Sequence, residues 1–238
     1  MNFTPAAFVF ALSASSALLA GLAPLPLHAA GMLPETSVVI VNESDGEASI
    51  NVKNTDAKPA LMFTSLTGIP GDDETLLIVT PPVARVEPGQ TQLVRFLLQT
   101  KQPLQTQRLR RVTFEGIPPK NMEPGLRVNM NVRQNLPVLI HPKGLAQDDQ
   151  PWKRLKWSVG ADTLRVRNDS PYVVRMATSV QLLPSTATVE LPRPYVLPGE
   201  SVEVALPAAA QGAATVRLVP ATVYGFTVAS YDARLAAH

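Results

Sequence analysis

Proline and glycine punctuate this chain too densely for long helices. From Gly31 onward, no run of ten or more residues shows a helical apolar period without an interrupting Pro or Gly. Proline lacks an N–H, and its ring clashes with the preceding turn, so it breaks helix interiors and interior strands alike. With 23 Pro in 238 residues, helical bundles and long parallel sheets are poor candidates. Short strands joined by Pro/Gly turns fit better, and the apolar residues agree because their period is two.

Strand-like alternation is expected over residues 36–41, 48–52, 61–66, 76–79, 92–98, 108–114 and 126–140. Turn signals such as Ser44-Asp45-Gly46, Pro70-Gly71-Asp72 and Glu87-Pro88-Gly89 separate these segments. Seven strands at this spacing suit an immunoglobulin-like sandwich. Residues 143–151 are polar, bounded by Pro and Gly, and read as a linker. A second series follows at 155–159, 163–166, 172–180, 188–191, 201–206, 215–218 and 222–230. Both halves carry a similar phrase, Val86-Glu87-Pro88-Gly89-Gln90 against Val196-Leu197-Pro198-Gly199-Glu200. The expectation is an all-β chain with two immunoglobulin-like β-sandwich domains, over residues 31–142 and 152–238.

Residues 1–30 stand apart. They hold no Lys, Arg, Asp or Glu, are largely apolar, and end in the small pair Ala29-Ala30. This is the pattern of a cleavable secretory signal peptide, although its start carries no basic side chain. A membrane anchor is the competing reading, and Pro24 and Pro26 favour cleavage. Export permits disulfides, yet the chain has no Cys, so stability must come from packing.

Chemistry is sparse. Absence of Cys excludes zinc ribbons, iron–sulfur clusters and thiol nucleophiles. Beyond the leader only His141 and His238 could titrate near neutrality, and no Gly-x-Ser-x-Gly elbow is present. The acidic runs Asp72-Asp73-Glu74 and Asp148-Asp149 sit beside turn residues and read as solvated loops rather than metal ligands. Twenty-one basic against 19 acidic residues argue against a nucleic-acid surface. Catalysis, a metal and a cofactor are therefore not expected.

Two strands carry more information. In residues 126–133, Leu126, Val128, Met130 and Val132 share one face, and Arg127, Asn129, Asn131 and Arg133 share the other. Such a strand either covers its own core or is an edge offering its apolar row to a partner. Pro137, lacking an N–H, should occupy an unpaired or bulged place. In Thr91-Gln92-Leu93-Val94-Arg95-Phe96, Arg95 sits between apolar neighbours. It should face solvent, an ion-pair partner or a bound carboxylate.

With these phrases in place, the chain resembles the periplasmic pilus-assembly chaperones of the chaperone–usher pathway. The matching residues are Pro81-Pro82-Val83-Ala84-Arg85-Val86-Glu87-Pro88-Gly89, Leu93-Val94-Arg95-Phe96 and Glu115-Gly116-Ile117-Pro118-Pro119. The alternating strand from Leu126, Leu139-Ile140-His141-Pro142, Arg167-Asn168-Asp169-Ser170-Pro171-Tyr172-Val173 and Tyr224-Gly225 complete the ordered set. The resemblance implies two sandwiches set at an angle with a cleft between them. It also implies donor-strand complementation, in which Leu126, Val128, Met130 and Val132 fill the groove of a fimbrial subunit before transfer to an outer-membrane usher.

Many relatives anchor the subunit's C-terminal carboxylate with an Arg on the first strand and a Lys on the seventh. Here residues 35–41 contain no basic side chain, and Pro137 stands at the Lys position. The chain thus resembles the divergent, archaic or alternative-type branch. Arg95 and Arg133 are the candidate replacements, with Arg108, Arg110 and Arg111 in reserve. Self-association through the donor strand is a further expectation. The competing functional reading is an exported structural or adhesive module that binds a ligand through its loops; an exported enzyme using His141 comes third.

Overall fold

The computed structural model describes residues 31–119 and 132–237. The leader and the donor candidates Leu126, Val128 and Met130 therefore lie outside the described residues. Among the described residues, the first unit contains β1 (Met32–Pro34), β2 (Val39–Asn42), β3 (Glu47–Asn54), β4 (Ala60–Thr67), β5 (Leu77–Thr80), β6 (Val83–Val86), β7 (Thr91–Leu98), β8 (Arg108–Ile117) and β9 (Arg133–His141). They form a sheet ordered β1-β3-β7-β5 and a sheet ordered β2-β9-β8-β4-β6. The first strand of the sequence reading divides between the two sheets. β1 pairs with β3, the chain crosses over at residues 35–38, and β2 then runs parallel to β9.

Period-two patterning makes the core. Ile50, Val52, Val94 and Phe96 meet Met62, Val112, Phe114, Val138 and Ile140 between the sheets, all essentially without solvent contact. Each such side chain contributes about 1.5–3 kcal/mol of burial. With no disulfide present, this packing is the main stabilising term of the unit.

The second unit adds β10 (Leu155–Val159), β11 (Thr163–Asn168), β12 (Val174–Met176), β13 (Ser179–Leu183), β14 (Ala187–Glu190), β15 (Tyr195–Val196), β16 (Ser201–Ala205), β17 (Thr215–Leu218), β18 (Pro220–Ala221) and β19 (Tyr231–Ala237). One sheet is ordered β14-β13-β17-β19-β10-β11-β16 and the other β15-β12-β18. Two expectations need correction. Residues 172–180 are not one strand, because the chain leaves β12 for a different sheet, and the Ala177 N–H bonds Val219 O instead. Residues 222–230 are not a strand either. Gly225, at φ +88°, closes a turn in which its N–H donates to Thr222 O and the Thr222 N–H donates to Phe226 O. The strand of this region is β19, which pairs with β17 and β10.

The repeated Pro-Gly phrase marks a shared internal knot. Asn54, ending β3, is fully buried and donates from Nδ2 to Val86 O and Lys58 O. Asn168, ending β11, is equally buried and donates to Val196 O and Tyr172 O. In each unit the main chain of this Asn also exchanges hydrogen bonds with the Pro-Gly turn, Gly89–Gln90 in one and Gly199–Glu200 in the other. A buried amide satisfied this way fixes where the strand ends and the turn docks.

Candidate functional site

The junction between the units is apolar at its centre and hydrogen-bonded at its rim. Ile69, Leu109 and Leu139 pack against Val173 and Tyr195. The Gln107 N–H donates to Pro171 O at 2.8 Å, and its side-chain oxygen accepts from the Val173 N–H at 2.9 Å. Its amide nitrogen lies 2.9 Å from His141 Nδ1, and His141 Nε2 lies 2.9 Å from Leu145 O. Because Leu145 O only accepts and the Val173 N–H only donates, the network assigns the His141 proton to Nε2. Both ring nitrogens are thus engaged, and His141 sits in the junction as a strut. No Ser hydroxyl is among its printed partners, so a Ser–His pair is not formed there.

This junction covers only one end of the outer face of the five-stranded sheet. The outward row on β8 and β9 reads Leu109 opposite Leu139, then Arg111 opposite Pro137, Thr113 opposite Asn135, and Glu115 opposite Arg133. Leu109 and Leu139 are buried beneath the second unit, and the row opens outward from there. At the far end Leu61, Phe63, Val83 and Ile117 are exposed neighbours, with Leu61 beside Ile117 and Phe63 beside Val83. Contiguous apolar exposure of this kind marks an interaction surface more often than scattered single residues do.

The edge of β9 is the second feature. β8 pairs with β9 from Arg133 to Ile140, but β2 pairs with it only from Val138 onward. Among the described residues, no strand pairs with the β2-side edge of residues 133–137. Pro137 is thus paired in register with Arg111 on one side and sits just before the start of pairing on the other. That position suits a residue without an N–H. Phase matters too: Leu136, Val138 and Ile140 face the core, and Val132 falls on the same parity. By sequence parity Leu126, Val128 and Met130 extend that row beyond the described strand.

The basic candidates fall in different places. Arg95 lies on β7 in the other sheet and pairs with Glu47, while Arg133 pairs with Glu115 at 2.8 Å. The structure does not bring these two together, and each already holds a carboxylate of its own chain. Arg108 and Arg110 both close on Asp72, through bonds of 2.7 Å from Arg108 Nε and 2.8 Å from Arg110. Arg110 is buried, and it also donates to Leu109 O and Glu74 O. Burial pushes the Asp72 carboxyl up, but the bonds and charges of Arg108 and Arg110 outweigh it and hold the group far below the usual carboxylate range.

Arg111 differs from all of these. Its Nε and a terminal nitrogen donate to the side-chain and main-chain oxygens of Asn135, both at 2.8 Å, so the guanidinium lies along the outer face. Across the cleft stands Arg175 of β12, which donates to Thr222 O at 3.1 Å. Burial lowers the pKa of both, and the charge of Arg111 lowers that of Arg175 further. Both line one cavity of about 170 Å³, together with Pro137, Met176 and Tyr195. Sequence reasoning held Arg111 in reserve and missed Arg175. A lone Arg between apolar strand residues, the signal used for Arg95, is present in Val173-Val174-Arg175-Met176 as well.

Among the described residues, no cluster of His, Asp and Glu could hold a metal, and no helix is long and apolar enough to cross a membrane. Known proteins give a consistent comparison. A fimbrial chaperone of Escherichia coli (strain K12), YhcA, itself uncharacterized, is 48% identical over 199 residues, which is 83% of this chain and 88% of that protein. The E. coli chaperone DraB shares the fold at a TM-score of 0.70 and 22% identity, covering 87% of this chain and 98% of its own. A chain from the Salmonella enterica complex of SafA pilin with the SafB chaperone does so at 0.71 and 20%, covering 87% and 98%. Residues 31–146 match the pili and flagellar-assembly chaperone PapD N-terminal domain, and residues 150–230 match the PapD C-terminal domain. Two matched domains in order, over a fold of two β-sandwiches, establish that the chain belongs to the PapD family of pili-assembly chaperones.

Proposed function

We propose that this chaperone works in the periplasm, reached through the leader at residues 1–30, where it holds fimbrial subunits by adding a strand to them and passes them to an outer-membrane usher. The carrying observation is the open edge of β9. It begins immediately after Val132, on the strand whose inward row continues in sequence parity through Met130, Val128 and Leu126. Strand addition needs main-chain groups that are free to pair and alternate side chains that fill pockets, and this segment supplies both. The exposed patch of Leu61, Phe63, Val83 and Ile117 on the same sheet gives the captured subunit a surface to rest on. Binding needs no nucleotide, because pairing and burial supply its free energy. The SafA–SafB complex supports the reading, since there a chaperone of this fold is found with a pilin.

Co-expression with a fimbrial subunit, followed by purification from the periplasm, tests the reading. Replacing Val128 and Met130 together by Asp should lower recovery of the bound subunit at least about tenfold, because charged groups would enter apolar pockets. Normal recovery with the double variant would rule out this strand as the donor.

A further inference from the structure

Two arginines meet at the inner end of the open edge with no carboxylate to answer them among the described residues. Arg111 belongs to the first unit and Arg175 to the second, and they line one cavity with Pro137 between the edge and Arg111. Like charges brought together and partly desolvated are costly unless an anion joins them. Nearly every other arginine of the junction region is neutralised, as Arg108 and Arg110 are by Asp72 and Arg193 is by Glu200. The unmatched pair is therefore a local exception.

The cavity is also a dead end. A strand laid along residues 133–137 runs in line with β2, which takes over the same edge of β9 at Val39. Immediately before Val39, Val38 and Ser37 are pressed against Gly225, and a terminal nitrogen of Arg175 is at the same spot. The closed cluster of Leu109, Leu139, Val173 and Tyr195 blocks the way beyond. A guest strand must stop here, and the charge selects which end stops. An ammonium terminus would be repelled by both guanidinium groups. A carboxylate has two oxygens and enough lone pairs for both forks.

We infer that Arg111 and Arg175 form a carboxylate clamp, built from both units, that holds the C-terminus of a polypeptide paired to β9. The inference rests on the strand-addition reading and adds two things to it. The guest runs parallel to β9, since its C-terminus lies at the β2 end. Its terminal residue is apolar or small, because Pro137, Met176, Tyr195 and Ala221 surround the cavity. Because one arginine comes from each unit, a bound terminus also ties the units together.

The probe is a short fluorescent peptide alternating valine and threonine, made with a free C-terminal carboxylate and as the C-terminal amide. Fluorescence anisotropy with the full chain should show the acid binding about 10–100-fold more tightly than the amide, as expected for charge-assisted hydrogen bonds. Arg111→Gln and Arg175→Gln retain much of the packing stem and should each bring the two forms towards parity. Arg95→Gln and Arg133→Gln should leave the preference intact. Equal binding of acid and amide by the unaltered protein overturns the clamp while leaving strand addition standing. Loss of the preference in Arg95→Gln or Arg133→Gln, with its retention in Arg111→Gln and Arg175→Gln, moves the anchor to the former pair. Failure of both peptides to bind removes strand addition at this edge and the clamp with it. Inorganic phosphate should compete no better than chloride at equal ionic strength; competition well beyond chloride assigns the cavity to a free phosphate and overturns the peptide terminus.

Discussion

Replacing Asn168 by Ala tests whether the buried amide knot holds the second unit together. Asn168 is fully buried, donates to Tyr172 O at 2.7 Å and Val196 O at 3.1 Å, and accepts from the Ser170 N–H at 3.1 Å and hydroxyl at 2.6 Å. Truncation leaves two carbonyls, one N–H and one hydroxyl short of a partner. Each buried group left unmatched costs about 1–3 kcal/mol. Some is regained, because Ser170 Oγ still accepts from the Tyr172 N–H and water can enter the space vacated. A net loss of about 3–5 kcal/mol is expected, a large part of a typical domain's stability. Both tryptophans, Trp152 and Trp157, are buried in the second core, so their fluorescence follows this unit. With a urea slope near 1.5 kcal/mol/M, the fluorescence midpoint should fall by about 2–3 M. Breaking the exposed Arg217–Asp232 pair with Arg217→Ala provides the contrast, at no more than about 1 kcal/mol. If Asn168→Ala moves the midpoint no further than Arg217→Ala, the knot is not a stabilising device and the repeated Pro-Gly phrase needs another explanation.

Asp72 makes stability sensitive to acid. Its carboxyl is held low in the folded state, so its contribution is complete above the unfolded carboxylate value of about 3.9 and is lost as pH falls through the folded value. Urea midpoints should therefore be flat from neutrality to about pH 5 as far as this group is concerned, and decline below about 4. Asp72→Asn should cost about 3–5 kcal/mol at pH 7 by leaving buried Arg110 without its counter-charge, and should flatten the acid limb; an unchanged limb would refute the assignment. Gly225→Ala places a Cβ 2.5 Å from Ser37 Oγ and 2.8 Å from Val38 Cγ2, at a φ of +88°. A loss of about 1–3 kcal/mol is expected, read as a lower thermal midpoint, and wild-type stability would show that the turn can move away from β2 freely.

Most of the sandwich was legible because its signals are local. Alternation located β3, β4, β7 and β8 to within a few residues, since each buries one face and each is closed by a turn of suitable composition. The failures share a cause in long-range partners. Residues 222–230 alternate in sequence, but Gly225 and the bonds of Thr222 fold them into a turn against the first unit, and that pressure is set by the junction. β6 and β15 are short and flanked by the Pro-Gly phrases, so they read as turns until Asn54 and Asn168 are seen bonding to them.

The candidate site was less legible for a sharper reason. Arg95, Arg111 and Arg175 have the same local description, a basic residue within an apolar strand, and only assembly separates them. Arg95 finds Glu47 on the strand beside β7. Arg111 finds the small ring of Pro137 opposite it, and an amide at Asn135 in place of an acid. Arg175 finds a carbonyl. Charge matching depends on cross-strand and cross-unit neighbours, which strand periodicity does not encode.

The parity of β9 explains how one strand serves both the chaperone and a guest. Leu136, Val138 and Ile140 complete the first core, and Val132 lies on the same parity with Gln134 between them. Gln134 is polar where every in-phase neighbour is apolar, so it marks the point at which the row leaves its own sandwich. On one side of that point the row is buried by the chaperone's own sheets; on the other, burial must come from elsewhere. The edge there is kept soluble by Arg133, Gln134 and Asn135 and is terminated by Pro137, the usual means of preventing indiscriminate pairing. A partner that brings both an apolar groove and a chain end can satisfy this row and the cleft at once. One that brings only a strand would leave the arginines of the cleft unmatched, which gives the edge a basis for choosing among guests.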